Sequence, residues 1–226
     1  MNFLRLKGRT NAIDRFFERF NGSYIVFAGL TVSVVFLALT AIMYLAVNPD
    51  FSIFSNFISH LGLGPEEGKI TFALAGTLMG FTYLVYFLFY SRYVEKRGKN
   101  TVLTWIAYLF ALLFAINLIL VCLIPFDPVN PVAYQVHIFS AILLFAGIVG
   151  LGVFYGIAEL SANDIPILLP LISFIMAVLA GIFTTLFTIQ TYNSTPYQTV
   201  TYFTEWLAVF GLIIWTAVHG MVTVKN

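Results

Sequence analysis

The sequence predicts an all-α, polytopic integral membrane bundle of six transmembrane helices, and three observations carry that prediction. Hydrophobic residues fill 60% of the 226 positions and charged residues only 9%, against roughly 25% charged in an average soluble domain. Six apolar stretches are each long enough to cross a hydrocarbon core of about 30 Å, which takes roughly 20 residues per helix. Turn chemistry separates them: Asn48-Pro49-Asp50, Gly98-Lys99-Asn100, Pro125 to Pro131, Asn163-Asp164-Ile165-Pro166 and Asn193-Ser194-Thr195-Pro196. The same composition excludes a water-soluble domain, a disordered chain and a nucleic-acid-binding surface. Eleven Lys/Arg against ten Asp/Glu leave a net charge of +1, too little to attract polyanions. The single cysteine, Cys122, excludes an intrachain disulfide and a cysteine-based zinc site.

The spans run about Tyr24–Val47, Ile70–Tyr90, Val102–Ile124, Tyr134–Ala158, Pro166–Gln190 and Val200–Val222. Each is apolar on nearly every side, as lipid-immersed helices are. Residues 1–226 read as a single membrane domain, with 1–22 as a cytoplasmic interfacial segment and 24–222 as the bundle. The first apolar run is too long for a signal-peptide core of 7–15 residues, so no cleavable leader is expected. Before it, Ile13, Phe16, Phe17 and Phe20 share one helical face while Asp14, Arg15, Glu18 and Arg19 share the other, the pattern of a short helix lying in a membrane interface. Ten of the eleven basic residues fall in the N-terminal segment, the second connection and the tail, and only Lys69 falls opposite. That asymmetry places both termini in the cytoplasm of a cell membrane.

Helices in lipid gain little from apolar burial against each other, so small residues that let backbones approach carry more weight. Gly76/Gly80, Ala146/Gly150, Gly152/Gly156 and Ala177/Gly181 put such pairs on the second, fourth and fifth spans, predicting that these three form the tight centre. Such faces also allow a homodimer. Asn117, inside the third span, is expected to make an interhelical hydrogen bond, because an unpaired amide there is costly.

The first connection, Asn48–Lys69, is much longer than the 2–8 residues usual in bundles. It reads as a short external helix capped by Asp50 or Ser52, with Phe51, Phe54, Phe57 and Ile58 on an apolar face and Gly62 or Gly64 at its end. That helix is expected to lie on, or dip into, the outer leaflet. Glu66 and Glu67 then suit a helix N-terminus through its dipole. Ser59, His60, Asp127, His137 and Glu205 lie on the same side, with Asp50. His60, His137, Asp127 and Glu205 have the ligand types for zinc or another divalent ion. Asp127, His137, Glu205 and Ser59 are the candidate catalytic residues for attack on a lipid ester or amide. Each also has a plain reading as an interfacial, capping or turn residue, and no resident cofactor is required. His219 lies near the opposite end of the sixth span, too far away to join them. Asn193-Ser194-Thr195 is a glycosylation sequon.

The loop Phe57-Ile58-Ser59-His60-Leu61-Gly62 between the first two spans, Leu123-Ile124-Pro125-Phe126-Asp127 ending the third and His137 opening the fourth resemble the prokaryotic membrane family catalogued as domain of unknown function 998. That family is similar to six-span proteins of the Frag/DRAM/Sfk type, whose loop reads Ile-Ser-Asp-X-Gly. This chain has His60 where those loops commonly have Asp, so no acid's role carries over. The resemblance implies the fold and topology. Three functions stay open: a lipid- or partner-interacting bundle, a metal-dependent lipid hydrolase using the external His and carboxylate groups, and a small-molecule transporter or channel.

Overall fold

The computed structural model describes residues 12–98, 100–193 and 198–224. Within them lie seven α-helices: α1 (Ala12–Arg19), α2 (Gly22–Val47), α3 (Glu66–Arg97), α4 (Thr101–Leu123), α5 (Pro131–Leu160), α6 (Leu168–Asn193) and α7 (Gln198–Val224). A 3-10 helix, Ile58–Leu63, sits in the connection after α2. The six helices α2 to α7 are long and apolar enough to cross a membrane, which fits the predicted class. Arg5, Lys7, Arg9, Lys99, Lys225 and the sequon's Ser194 and Thr195 lie outside the described residues.

Side-chain caps start several helices where the sequence has turn chemistry. Asn21 accepts the Ser23 N–H at 2.8 Å, Asn100 the Leu103 N–H at 3.2 Å and Asn130 the Ala133 N–H at 3.2 Å. Pro131 follows Asn130 at the first helical position of α5, where its missing N–H costs nothing. The helices overrun the apolar stretches: α3 continues past Tyr90 to Arg97, and α5 past Ala158 to Leu160. Glu159, expected in a connection, is therefore helical and buried.

Sequential helices pack side by side, and α7 returns to α2 through a 2.6 Å hydrogen bond between Ser23 Oγ and Thr223 Oγ1. The expected centre of second, fourth and fifth spans is half right. Gly152 and Gly156 of α5 do face α6, against Ser173, Ala177 and Phe174. Gly76 and Gly80 of α3 instead face Cys122, Ile119 and Ala115 of α4, and Gly147 and Gly150 of α5 also face α4, at Phe114 and Phe110. The third span, whose buried Ala107, Ala111 and Ala115 recur every four residues, is thus the neighbour that glycines on two other helices approach. Asn117 is corrected as well: its amide donates to the Leu113 carbonyl one turn back on α4, at 2.7 Å, rather than to another helix. A carbonyl one turn back on its own helix meets the amide's need as well as a second helix would.

α1 is more than an interfacial float. Asp14, on its expected polar face, takes a forked pair of hydrogen bonds from Arg92 Nε and Nη2 at 3.1 and 2.9 Å. Lys96 Nζ stands 3.4 Å away, and Glu95 also pairs with Arg92. Phe17 packs edge-on against Phe89, with ring centroids 5.2 Å apart. The Arg92 hydrogen bonds hold the Asp14 carboxyl below its ordinary value of 3.8.

Two outcomes check this packing. A Cβ on Gly147 would stand 2.7 Å from the Phe114 backbone nitrogen, and backbone cannot rotate away. Gly147→Ala should therefore part α4 from α5 and cost about 1–3 kcal/mol in a reversible detergent-unfolding titration, whereas an alanine at the exposed Leu109 should be near neutral. Because the folded-state pKa of Asp14 is depressed, the latch is intact at neutral pH and weakens as pH falls through that lowered value. Asp14→Asn should raise hydrogen exchange across residues 12–19 several-fold at neutral pH while leaving α4 and α5 protected.

Candidate functional site

Both ends of the bundle hold polar groups, and the folding of the first connection decides what happens at one of them. Residues 51–57 form turns rather than the first half of an amphipathic helix. The Ser52 carbonyl accepts from the Ser55 and Asn56 N–H groups at 3.0 and 2.9 Å, and Ser52 Oγ accepts from Phe54. Helical geometry begins only at Ile58, so neither Asp50 nor Ser52 caps it. Gly64, as expected, ends it. The segment enters the bundle instead of lying along a leaflet: Phe57, Ser59, Leu61 and Gly62 are buried, and Phe54 alone among the expected apolar face is exposed.

The burial of Phe57 explains the difference. Its ring sits among Tyr202, Phe187, Phe126 and Phe183, with centroid distances of 4.4, 5.4, 6.2 and 6.4 Å. This aromatic box gains more from one inserted ring than a flat helix would from laying four side chains on lipid. Two hydrogen bonds from α7 fix the inserted backbone: Glu205 Oε2 accepts the Ile58 N–H at 2.7 Å, and Trp206 Nε1 donates to the Asn56 carbonyl at 3.0 Å.

The residues singled out from sequence separate into two groups. His60, His137 and Asp127 lie around Phe126, whose ring centroid is 5.4 Å from that of His60 and 5.3 Å from that of His137. His60 Nδ1 faces the Asn56 amide at 3.2 Å and the Phe57 N–H at 3.3 Å, both donors, so Nδ1 is an acceptor and the ring is neutral. Burial first, and then the proximity of His137, pushes the His60 pKa down to about 4. His137 Nδ1 lies 2.6 Å from the Ile124 carbonyl, which only accepts, so Nδ1 carries a proton. Asp127 makes a turn bond to the Val129 N–H at 2.9 Å, the ordinary chemistry of its sequence position. Ser59 and Glu205 form the second group. Both line a cavity of about 140 Å³ beneath the 3-10 helix. Ser59 and His137 also share the wall of a second recess, of about 230 Å³, without a hydrogen bond between them among the described residues. Asp50 and Glu66 are exposed at the ends of the connection, with Glu66 3.4 Å from Lys69. Among the described residues, no three His, Cys, Asp or Glu side chains gather closely enough to hold one metal ion.

The cavity lies between α2 (Ser33, Val34, Leu37) and α7 (Val209, Leu212, Ile213), floored by α3, α4 and α5 and roofed by Ile58 and Ser59. Its walls are nearly all apolar. Ser33 Oγ is buried and has no hydrogen-bond partner among the described residues, and Glu205 uses only Oε2 in the bond to Ile58. Val34 lies at the exposed edge of α2, so the cavity reaches the lipid-facing surface between α2 and α7.

Sequence reasoning missed the other polar centre. At the end of the bundle that carries α1, Glu159 accepts hydrogen bonds from Tyr90 (2.7 Å) and Ser173 (3.0 Å), and its Oε1 lies 3.2 Å from His219 Nε2. His219 and Glu159 have no side-chain exposure. A run of glycine, tyrosine and glutamate closing an apolar stretch, with Trp215 and His219 one turn apart, is the only signal for it. Only packing brings those helices together.

The chain belongs to the family described as "Protein of unknown function (DUF998)", whose model matches residues 30–222. No curated protein matches the chain. No solved structure matches it either.

The loop's response to acid follows from His60. Its folded-state pKa of about 4 lies below the free value of 6.5, so the unfolded state binds the proton more readily and stability falls as pH drops from 6.5 toward 4. Emission of Trp206, tied to Asn56, should shift to the red over that interval as the loop leaves its seat. His60→Gln should flatten the profile.

Proposed function

We propose that this membrane protein binds a single-chain amphiphile drawn sideways from the bilayer into the cavity between α2 and α7. The observation that carries the reading is an apolar hollow at membrane depth with unpartnered polar atoms on its wall. A dry cavity of roughly 150 Å³ lined by aliphatic and aromatic groups accepts a benzene-sized guest, so 140 Å³ accommodates a short stretch of alkyl chain. Leaving lipid for another apolar space gains little by itself. Preference must therefore come from close packing and from polar contacts. Ser59 and Glu205 Oε1 at the roofed end suit a headgroup that donates a hydrogen bond, a hydroxyl or an amine, and the chain would then extend along Leu37, Met79 and Leu212. The distribution of Lys and Arg supports placing both termini in the cytoplasm of a cell membrane, with the roofed end toward the outer leaflet.

The test uses an alkyl alcohol bearing a diazirine, added to the protein in nanodiscs. Crosslinks should concentrate on residues 34–37 and 209–213, and Met79→Trp, which fills the hollow, should reduce them about tenfold, equivalent to roughly 1.4 kcal/mol of binding. Labelling spread evenly over the lipid-facing helices and unchanged by Met79→Trp would contradict the reading.

A further inference from the structure

The Glu159 centre lies at the opposite end of the bundle from the cavity, and its hydrogen bonds can be counted. His219 Nδ1 lies 2.8 Å from the Trp215 carbonyl, an acceptor only, so Nδ1 carries hydrogen. Trp215 Nε1 donates to Ser173 Oγ at 2.8 Å, which leaves the serine hydroxyl hydrogen for Glu159 Oε2. Tyr90 donates its phenolic hydrogen to Glu159 Oε1. Ser173 Oγ also stands 3.4 Å from His219 Nε2, but its single hydrogen serves only one of the two acceptors. One further hydrogen is therefore needed, and it sits between His219 Nε2 and Glu159 Oε1 across 3.2 Å. Without it, a nitrogen lone pair would face a carboxylate lone pair in a space shut off from water.

We propose that Glu159 and His219 form a proton-binding site that exchanges one proton with the aqueous phase at the end of the bundle carrying α1. The step balances between the pair and water, which takes the proton. The imidazolium of His219 loses its Nε2 proton to water and becomes neutral imidazole, while Glu159 stays a carboxylate held by Tyr90 and Ser173. Ionisable residues buried within membrane helices mark ion and proton pathways, and a buried ion pair is weak evidence for stability alone. Position supports exchange with that end. Glu159 is the next-to-last residue of α5, and Tyr90 precedes Arg92, the partner of Asp14, by two residues on α3. A short stack leads from the pair toward that end: the Tyr93 ring lies over Tyr90 at 5.9 Å, and the Arg97 guanidinium over Tyr93 at 3.8 Å. The other titratable groups facing Glu159 are the phenols of Tyr86 and Tyr90 on α3 and Tyr155 on α5. α6 and α7 contribute Ser173 and Trp215, and no Lys or Arg pairs with Glu159 among the described residues.

Trp215 is a built-in reporter, because its ring stacks on His219 with centroids 4.0 Å apart and a stacked imidazolium quenches indole emission. The full chain carrying Trp105→Phe and Trp206→Phe, reconstituted in nanodiscs, is titrated from about pH 5 to about pH 10, the range over which perturbed imidazoles and carboxylates exchange protons. Emission should brighten with rising pH in a one-proton step. The step should vanish in His219→Gln, and Arg97→Ala, which shortens the stack, should speed its approach several-fold in stopped flow without moving its midpoint. Flat emission in folded protein, or a step that survives His219→Gln, overturns the proposal. Should His219→Gln fail to fold, Ser173→Ala serves instead: losing a donor to the carboxylate should change proton affinity several-fold, and an unmoved midpoint overturns the proposal equally.

Discussion

Polar groups inside a lipid-immersed bundle must take their partners from the chain itself, and α7 is where most of those obligations are met. Its side chains are arranged along one face like rungs. Glu205 and Trp206 fasten the inserted loop, Thr216 bonds Tyr83 of α3 at 2.9 Å, Trp215 and His219 reach Ser173 and Glu159, and Thr223 closes the ring onto Ser23. Two of these rungs, Glu205 and His219, are fourteen residues apart, about 21 Å along a helix. That separation is why the loop site and the Glu159 centre are distinct pieces of chemistry rather than halves of one site. It is also why α7, carrying hydroxyls, an acid and a histidine, is still held inside a membrane bundle.

The second organising constraint is steric. Where α5 meets α4 and α6, glycines let backbone approach backbone or aromatic ring, and α5 is the most enclosed of the six long helices. The aromatic rings of Phe87, Tyr155 and Trp215 then meet in the middle, linking α3, α5 and α7, and the Tyr155 hydroxyl adds a 2.8 Å hydrogen bond to Ser91 of α3. The cavity is what remains where α2, which touches α7 mainly near the Ser23 and Phe27 end, leaves the ring less tightly closed.

Spans and caps were legible in the sequence because they depend on local quantities: apolar length, Asn before a helix, Gly after one. Helix ends were less so, since α3 and α5 continue through charged residues once tertiary partners such as Asp14 and Tyr90 are available to them. The apolar pattern of residues 51–58 was visible, but its destination was not. The same phenylalanines suit a leaflet or an aromatic box, and only Phe126, Phe183, Phe187 and Tyr202 arriving from three other segments decide the matter. Gly76 and Gly80 were recognisable as an approach face, and the signal for their partner was the alanine row Ala107, Ala111 and Ala115 on α4, which carries no glycine. The Glu159 centre was hardest to read. Its members come from α3, α5, α6 and α7, and each has an unremarkable local context. The Asp14 latch has the same character, and α1 lies before the stretch that the family model matches.

Insertion of the loop into the bundle is the central claim, because the Glu205 bond, the roof of the cavity and the environment of His60 all require it. The most direct test is thiol labelling in membranes of single-cysteine chains with Cys122→Ser and either Phe54→Cys or Leu61→Cys. Phe54 is 52% exposed and Leu61 is fully buried. Rapid maleimide labelling at position 54 with protection at 61 is the predicted result. Equal labelling at both positions would mean that the segment lies along the surface, and the account would be wrong.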